Sequence, residues 1–140
     1  GELWCELPTA LIPGRWDDAA AAAGRQYPRM NGRAVFQHAI RRFGEAIEEV
    51  LAKGGVAKED VALFIPHQAN QRITEMVTRR LEAPPERVYA NIERYGNTTA
   101  ASIPIALSEA RREGRVERGD WVVLVAFGSG FTWGANLIRL

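Results

Sequence analysis

The sequence predicts an α/β fold with a five-stranded mixed, mostly parallel sheet and flanking helices. Two observations lead to this prediction. Apolar runs of strand length alternate with helical stretches along the chain, and the last two strands are joined by a short glycine-containing turn. Alternating strands and helices are typical of parallel sheets, and a terminal hairpin adds one antiparallel strand. The expected order of elements is therefore β-α-β-α-β-α-β-β.

The first two predicted elements are a short strand and a long helix. ELWCEL (2–7) alternates between polar and apolar residues, which predicts a strand. Residues 8–28 are rich in Pro, Gly, Asp and Ala, which predicts a loop or a short helical turn. Over 33–53 the apolar residues recur every three or four positions, and two glycines follow. This pattern predicts an amphipathic helix with a glycine C-terminus.

A second strand, a second helix and a third strand follow. VALFIPH (61–67) is a short apolar run of strand type. Apolar residues at helical spacing over 73–81 predict a helix, which the prolines at 84–85 end. RVYANI (87–92) then predicts the third strand.

The last predicted elements are a helix and a hairpin. A helical stretch over 98–113 contains Pro104, which must lie in an early turn or kink the helix because it has no N–H to donate. WVVLVAF (121–127) is continuously apolar, as expected for a strand covered on both faces. FTWGANLIRL (131–140) predicts the last strand, after the GSG turn at 128–130.

Composition restricts the class of protein. Hydrophobic residues make up 46% and charged residues 25% of the 140 residues, which is typical of one globular domain spanning 1–140. The net charge of +1 predicts no nucleic-acid partner, and no apolar run approaches the roughly 18 residues needed to cross a bilayer. With the single Cys5 no internal disulfide can form, so a cytoplasmic location is expected. No metal site is expected.

Three polar or glycine-rich segments follow strands of the predicted parallel sheet. His67 ends the second strand, Asn97 lies in the turn after the third, and Gly128, Ser129 and Gly130 follow the fourth. Parallel strands end on the same side of a sheet, where ligand sites form. We therefore expect these segments to share one rim.

The side chains at this rim suggest stabilisation of an oxyanion. A neutral imidazole at His67 offers one N–H, and the amide of Asn97 offers two, so together they can bind an oxyanion without adding formal charge. Backbone N–H groups of the glycine-rich turn could form a second such pocket. Two pockets suit an acyl transfer followed by attack of an enolate.

Structural interpretations of the same residues stay open from the pattern alone. His67 could be a structural residue after a strand, and His38, inside the first helix, is expected to be structural. Asn97 could be a turn or helix-capping residue, and Asn70 is most simply the N-cap of the second helix. The GSG turn is first of all a hairpin connection.

Several motifs together resemble one protein family. PHQANQRI (66–73), RYGNTTAASIPIAL (94–107) and AFGSGFTWGANLIRL (126–140) resemble the C-terminal half of β-ketoacyl-acyl-carrier-protein synthase III, of the thiolase-like superfamily. MNGRAVFQHAI (30–40) is similar to a helix entry of the same half. The resemblance runs from Met30 to the last residue and favours a catalytic role for the rim residues.

The resemblance implies a fold, a reaction and roles for individual residues. The chain would be one half of a duplicated thiolase-like fold, and the enzyme would condense an acyl-CoA, usually acetyl-CoA, with malonyl-acyl-carrier protein to start fatty-acid synthesis. His67 and Asn97 would stabilise the enolate formed when malonyl loses carbon dioxide. Asn70 and Phe127 would line the tunnel for the pantetheine arm. The backbone N–H of Ser129 would be an oxyanion donor, although the family often has glycine or alanine at this position.

Three arginines on the second helix have two interpretations. Arg72 and Arg79 lie about two helical turns apart and share a face, with Arg80 beside it. They can form a solvated face, or, as the resemblance implies, a docking patch for the acidic acyl-carrier protein, which would weaken with salt.

The cysteine nucleophile of the family belongs to its other half. Cys5 lies in the first predicted strand, without the strand-to-helix turn that the nucleophile needs, so we expect a small buried residue there. The chain is then expected to be a C-terminal fragment that is inactive in condensation alone and needs the N-terminal half. The complete enzyme is expected to be a homodimer that uses acyl-CoA and carrier-protein phosphopantetheine as substrates and needs no cofactor. Three alternatives remain: half of a condensing enzyme of secondary metabolism, a non-catalytic module that binds a carrier protein or stabilises a partner, or a chain that pairs with a second copy of itself as a dimer of halves.

Overall fold

The computed structural model describes residues 3–4, 18–24, 27 and 29–140. Its strands are β1 (Leu3–Trp4), β2 (Arg29–Met30), β3 (Val61–Pro66), β4 (Trp121–Gly128) and β5 (Thr132–Arg139). Its α-helices are α1 (Asp18–Ala22), α2 (Gly32–Gly54), α3 (Gln71–Leu81), α4 (Ile92–Tyr95) and α5 (Ser102–Arg112). Short 3₁₀ turns lie at Lys58–Asp60, Pro85–Arg87, Thr99–Ala101 and Ser129–Phe131.

The main sheet has three strands in the order β3-β4-β5. β3 runs parallel to β4, with Pro66 opposite Val125, and β4 pairs antiparallel with β5 over its whole length. The mixed α/β architecture and the terminal antiparallel strand are therefore confirmed. Because β3 and β4 are parallel, the residues that follow them meet at one end of the sheet.

The prediction of a five-stranded sheet is wrong for the described residues. RVYANI forms no strand, since only Val88 makes a single bridge to Phe64. A 3₁₀ turn at Pro85–Arg87 precedes it and α4 begins at Ile92, which leaves too few extended residues for a ladder. At the other end, and among the residues that the structure describes, β1 pairs with β2 in a separate two-stranded sheet. The rest of the ELWCEL prediction lies outside the described residues.

The long first predicted helix is α2, and its ends follow from local chemistry. The side chain of Asn31 accepts a hydrogen bond from the Ala34 N–H at 3.2 Å, as an N-cap does. At the other end Gly55 adopts a left-handed φ of 64°, which lets its N–H reach the carbonyl groups of the last turn. The prediction over 33–53 is confirmed.

The other two main helices begin at polar residues. Asn70 caps α3, its side-chain oxygen accepting from the Arg72 N–H at 2.9 Å, which confirms the capping prediction. α5 begins at Ser102, after the 3₁₀ turn at Thr99–Ala101. Pro104 therefore lies in the first turn, where its missing N–H has no intrahelical partner to lose.

Two apolar clusters lie on opposite faces of the sheet, because neighbouring strand residues point to opposite faces. The cluster under α2 and α3 includes Phe43, Ile47, Phe64, Val77 and Val123, each no more than 1% exposed. The cluster under α5 includes Leu63, Ile65, Ala106, Ala110 and Val122. None of the described helices is both long and apolar enough to cross a membrane.

Candidate functional site

His67 lies directly after β3, at the end of the sheet where the parallel strands stop. Its backbone N–H donates to the carbonyl of Val125 at 2.8 Å, which extends the pairing with β4 by one residue. Its half-buried ring places Nδ1 2.6 Å from Oγ of Ser102. Burial lowers the pKa of the imidazole below its ordinary value, which favours the neutral ring at neutral pH.

The residue after it, Gln68, holds neighbouring backbone segments together and was not identified from the sequence. Its side chain is completely buried. The amide nitrogen donates to the carbonyl groups of Pro66 at 2.7 Å and Tyr89 at 3.2 Å, and the amide oxygen accepts from the Asn91 N–H at 3.0 Å. Gln68 therefore joins the end of β3 to the segment that leads to Asn97. The signal that could have identified it is a long polar side chain directly after a buried strand.

Asn97 follows α4 in an exposed loop. Gly96, whose φ is 66°, turns the chain just before it. The side-chain oxygen of Asn97 accepts a hydrogen bond from the Thr99 N–H at 2.9 Å, as in an Asx turn. The turn-forming interpretation is therefore confirmed. It also orients the amide, because its oxygen is held by the backbone and its two N–H groups lie at the opposite end.

A nearly buried carboxylate holds α4, and with it the start of the Asn97 loop, against α5. Glu109 of α5 accepts hydrogen bonds from Asn91 Nδ2 at 2.7 Å and from the Tyr95 hydroxyl at 2.5 Å, and it pairs with Arg94 at 3.1 Å. The hydrogen bonds from Asn91 and Tyr95 lower the pKa of the Glu109 carboxyl, so it is ionised at neutral pH.

Ser102 joins the two predicted rim loops. It is 2% exposed, and its hydroxyl oxygen lies between Nδ1 of His67 and the N–H of Gln68, which donates to it at 3.3 Å. Because Ser102 begins the helix that follows the Asn97 loop, this contact fixes that helix against the His67 loop. Ser102 was not identified from the sequence, although a serine followed by Ile-Pro is a recognisable signal of a helix start.

The glycine-rich turn forms the connection between β4 and β5. It is a 3₁₀ turn over Ser129–Phe131, in which Gly130 has a φ of 72°. Phe127, just before it, is buried in the cluster under α2 and α3, with its ring 5.3 Å from that of Phe131. The ring of Phe131 also lies 4.8 Å from that of His38 on α2. The prediction that His38 is structural fits this aromatic packing, although the residue is exposed.

The three predicted docking arginines are exposed but differ in their surroundings. Arg80 lies across Gly44 of α2, so closely that a Cβ at Gly44 would collide with its side chain. Arg72 lies in the first turn of α3 and Arg79 in the last. Asn70 is exposed at the start of the same helix, with its amide oxygen used for capping.

Two further predictions concern metals and the cysteine. The described residues contain no group of three or more His, Cys, Asp or Glu side chains that could hold a metal ion. Cys5 lies outside the described residues.

The arrangement is suited to donating hydrogen bonds. Nδ1 of His67 is occupied by Ser102, and the oxygen of Asn97 is occupied by Thr99. Across the part of the chain that the structure describes, Nε2 of His67 and Nδ2 of Asn97 have no hydrogen-bond partner. Both side chains can therefore present N–H groups to a ligand oxygen.

The chain is similar to known condensing enzymes. Residues 51–140 match the family described as 3-Oxoacyl-[acyl-carrier-protein (ACP)] synthase III C terminal. Over 116 residues the chain is 52% identical to the β-ketoacyl-acyl-carrier-protein synthase III of Roseiflexus sp. (strain RS-1). The aligned region covers 83% of this chain and 35% of that relative.

Solved structures give the same result. The crystal structure of 3-oxoacyl-acyl-carrier-protein synthase III from Aquifex aeolicus VF5 matches with a TM-score of 0.80 and 53% identity, over 82% of this chain and 37% of that one. The synthase III from Thermus thermophilus matches with a TM-score of 0.85 and 42% identity, over 99% of this chain and 41% of that one. These matches confirm the thiolase-like α/β fold, and the chain spans 35% to 41% of the length of these relatives.

Proposed function

This chain belongs to the 3-oxoacyl-acyl-carrier-protein synthase III family, whose C-terminal part it matches, and we propose that it supplies the enolate-stabilising half of a decarboxylating condensing enzyme. The observation that carries the proposal is the link through Ser102. It joins the His67 loop to the helix that follows Asn97, and both side chains carry unpartnered N–H donors. The proposal treats residues 1–140 as one domain, the C-terminal thiolase-like domain of the condensing enzyme.

The proposed reaction uses these donors on a thioester oxygen. Malonyl-acyl-carrier protein loses carbon dioxide, the electrons of the broken C–C bond form an enolate, and negative charge develops on the thioester oxygen. Nε2–H of His67 and Nδ2–H of Asn97 stabilise that charge. A neutral imidazole suits this role, since decarboxylation needs no proton abstraction. Each such donor contributes about 2.7–4 kcal/mol of transition-state stabilisation.

The condensation step needs groups of this chain at the same end of the sheet and a cysteine of the N-terminal half. The enolate carbon attacks an acyl group, proposed to come from acetyl-CoA, held as a thioester on a cysteine of the N-terminal half. The backbone N–H of Ser129 then stabilises the tetrahedral oxyanion. This intermediate collapses by breaking the acyl C–S bond, so that the cysteine leaves as a thiolate and the β-ketoacyl group stays on the carrier protein. Asn70 and Phe127 line the path of the pantetheine arm.

Carrier-protein docking is proposed for the exposed face of α3. Arg72 and Arg79 supply the positive charge that attracts the acidic carrier protein, with Arg80 beside them against α2. Docking of this kind mainly raises the association rate and weakens with salt. The complete enzyme is proposed to be a cytoplasmic homodimer of paired halves.

Reconstitution tests the proposed function. The chain is co-purified with a matching N-terminal half, and condensation of acetyl-CoA with malonyl-acyl-carrier protein is measured together with release of carbon dioxide. We expect activity from the pair and none from the chain alone. His67→Ala and Asn97→Ala should each lower the decarboxylation rate about 10²–10³-fold, while His38→Ala, the matched control, should leave it unchanged.

The same experiment separates the alternatives. A well-folded pair without activity would contradict the assignment. A pair whose activity is unaffected by His67→Ala and Asn97→Ala would favour the non-catalytic module that binds a carrier protein or stabilises a partner. Condensation only with other acyl donors would favour a condensing enzyme of secondary metabolism.

A further inference from the structure

We propose that Ser102 is a positioning residue that holds the neutral imidazole of His67 in the tautomer with its proton on Nε2. The contact that suggests this role is the 2.6 Å hydrogen bond between Oγ of Ser102 and Nδ1 of His67. Such a bond has two possible directions, since a hydroxyl can donate and accept. The tautomer of a neutral histidine follows from the direction of the bond at its other nitrogen.

The surroundings of Ser102 determine that direction. The N–H of Gln68 donates to the same hydroxyl oxygen at 3.3 Å, so Ser102 already acts as an acceptor. Its hydrogen then needs an acceptor of its own, because Ser102 is 2% exposed and a buried hydroxyl without a partner is unfavourable. Among the described residues, Nδ1 of His67 is the sole acceptor within reach. The hydroxyl therefore donates to Nδ1, and the ring proton lies on Nε2.

The frame around this bond is rigid on both sides. Gln68 is fixed by three hydrogen bonds of its side chain, which hold the His67 loop. Ser102 begins α5, and Glu109 of the same helix is bound to Asn91 and Tyr95. Oγ of Ser102 and Nδ1 of His67 are therefore held at hydrogen-bond distance, and the direction of the bond depends on where the serine hydrogen finds an acceptor. Burial of the ring also disfavours the imidazolium, in which both nitrogens would donate and the serine hydrogen would lose its acceptor.

The consequence for the reaction rests on the proposed function. With the proton on Nε2, His67 donates to the developing enolate oxygen. In the other tautomer Nε2 carries a lone pair, which would repel that oxygen. Ser102 does not touch the substrate in this scheme and acts only through His67.

Nuclear magnetic resonance tests the tautomer directly and needs no catalytic activity. The chain contains two histidines, so ¹⁵N-histidine labelling gives two rings to assign, and His38 serves as the internal control. In the parent chain at a pH where the ring is neutral, we expect His67 to show a protonated Nε2 and an unprotonated Nδ1. Ser102→Ala should give a mixture of tautomers at His67, Ser102→Thr should keep the parent pattern, and His38 should not change.

Two results would overturn the inference: a proton on Nδ1 of His67 in the parent, or an unchanged Nε2–H pattern in Ser102→Ala. If Ser102→Ala does not fold, the parent spectrum alone decides the direction of the bond.

A second measurement separates this inference from the proposed function. In the reconstituted enzyme, Ser102→Ala should lower kcat in proportion to the fraction of His67 that has lost the Nε2 proton, with KM for malonyl-acyl-carrier protein unchanged and Ser102→Thr restoring the rate. A changed tautomer without loss of rate would contradict the proposed function and leave the tautomer assignment standing. A loss of rate without a change of tautomer would overturn the role of Ser102.

Discussion

The two faces of the sheet are built from different interactions. On the face covered by α2 and α3, the contacts are almost entirely between apolar side chains. Phe43, Ile47, Phe64 and Val77 are each no more than 1% exposed and belong to one cluster. Such packing depends on total volume and shape more than on the direction of any single contact.

On the side covered by α5, hydrogen bonds with fixed directions lie above the apolar cluster. Gln68, Asn91, Ser102 and Glu109 are all buried there, and each makes at least one side-chain hydrogen bond. They join the segments that carry His67 and Asn97. We infer a division of roles: the first face, which has the larger apolar cluster, contributes more to the free energy of folding, and the second orients the candidate site. Each prediction below tests this division.

The largest effect on stability is expected on the α2 and α3 face. Ile47→Ala removes a side chain that is 0% exposed, and it should lower the free energy of unfolding by about 2–5 kcal/mol. Urea unfolding followed by tryptophan fluorescence measures this loss. Gln37→Ala, at an exposed position of the same helix, should change stability by less than about 0.5 kcal/mol. If Ile47→Ala shifted the tautomer of His67 in the folded chain, the division between the faces would fail.

A smaller effect is expected in the polar network. Asn91→Ala removes the side-chain donor to Glu109 but keeps the backbone N–H that binds Gln68. Losing one partner of a buried hydrogen bond should lower the free energy of unfolding by about 1–3 kcal/mol. Asn136→Ala, an exposed asparagine on β5, is the matched control.

The activity of the Asn91→Ala variant gives a second test of the difference between the two faces. Because Asn91 connects Gln68 to α5, Asn91→Ala should reduce decarboxylation by the reconstituted enzyme more than Ile47→Ala does, when both are measured under conditions where the chains are folded. Equal losses of activity, or a larger loss for Ile47→Ala, would show that the two faces do not differ in role.

The smallest effect concerns pH. Burial lowers the pKa of His67 in the folded chain, so the unfolded chain takes up a proton first as the pH falls. The stabilising contribution of the neutral His67 ring should be fully present above the ordinary histidine pKa and decrease as the pH falls through that value. Below the lowered pKa of His67 in the folded chain, the free energy of unfolding should stop changing for this reason. Urea midpoints between about pH 8 and pH 5 measure this slope. His67→Gln should flatten it, and an unchanged slope in that variant would contradict the assignment to His67.

Much of the fold could be predicted from local patterns. The 3.6-residue periodicity and terminal glycines predicted α2, and Asn70 was identified as a cap from its position before an apolar-periodic stretch. The strand predicted at RVYANI was wrong, because its β-type residues lie between a proline-initiated 3₁₀ turn and α4. Propensity over six residues was outweighed there by the structure on each side.

The candidate site could be predicted only in part. His67 and Asn97 were identified from strand order and from the family resemblance, and their catalytic role stays a prediction. Gln68 and Ser102 were missed because their own segments indicate a polar strand end and a helix start, but not which distant residue each side chain binds. Apart from the bond from Gln68 to Pro66, their side-chain hydrogen bonds join residues 21 to 35 positions apart in the chain.

Periodicity, capping and motif spacing act over a few neighbouring residues, and they were enough to predict the main helices, the terminal hairpin and the family. The packing of distant segments was needed to establish which nitrogen of His67 is bound and which end of the Asn97 amide points outward. Those choices depend on where α5 packs against the end of β3, and a hydrogen bond has an energy that depends on atomic positions set by the whole fold.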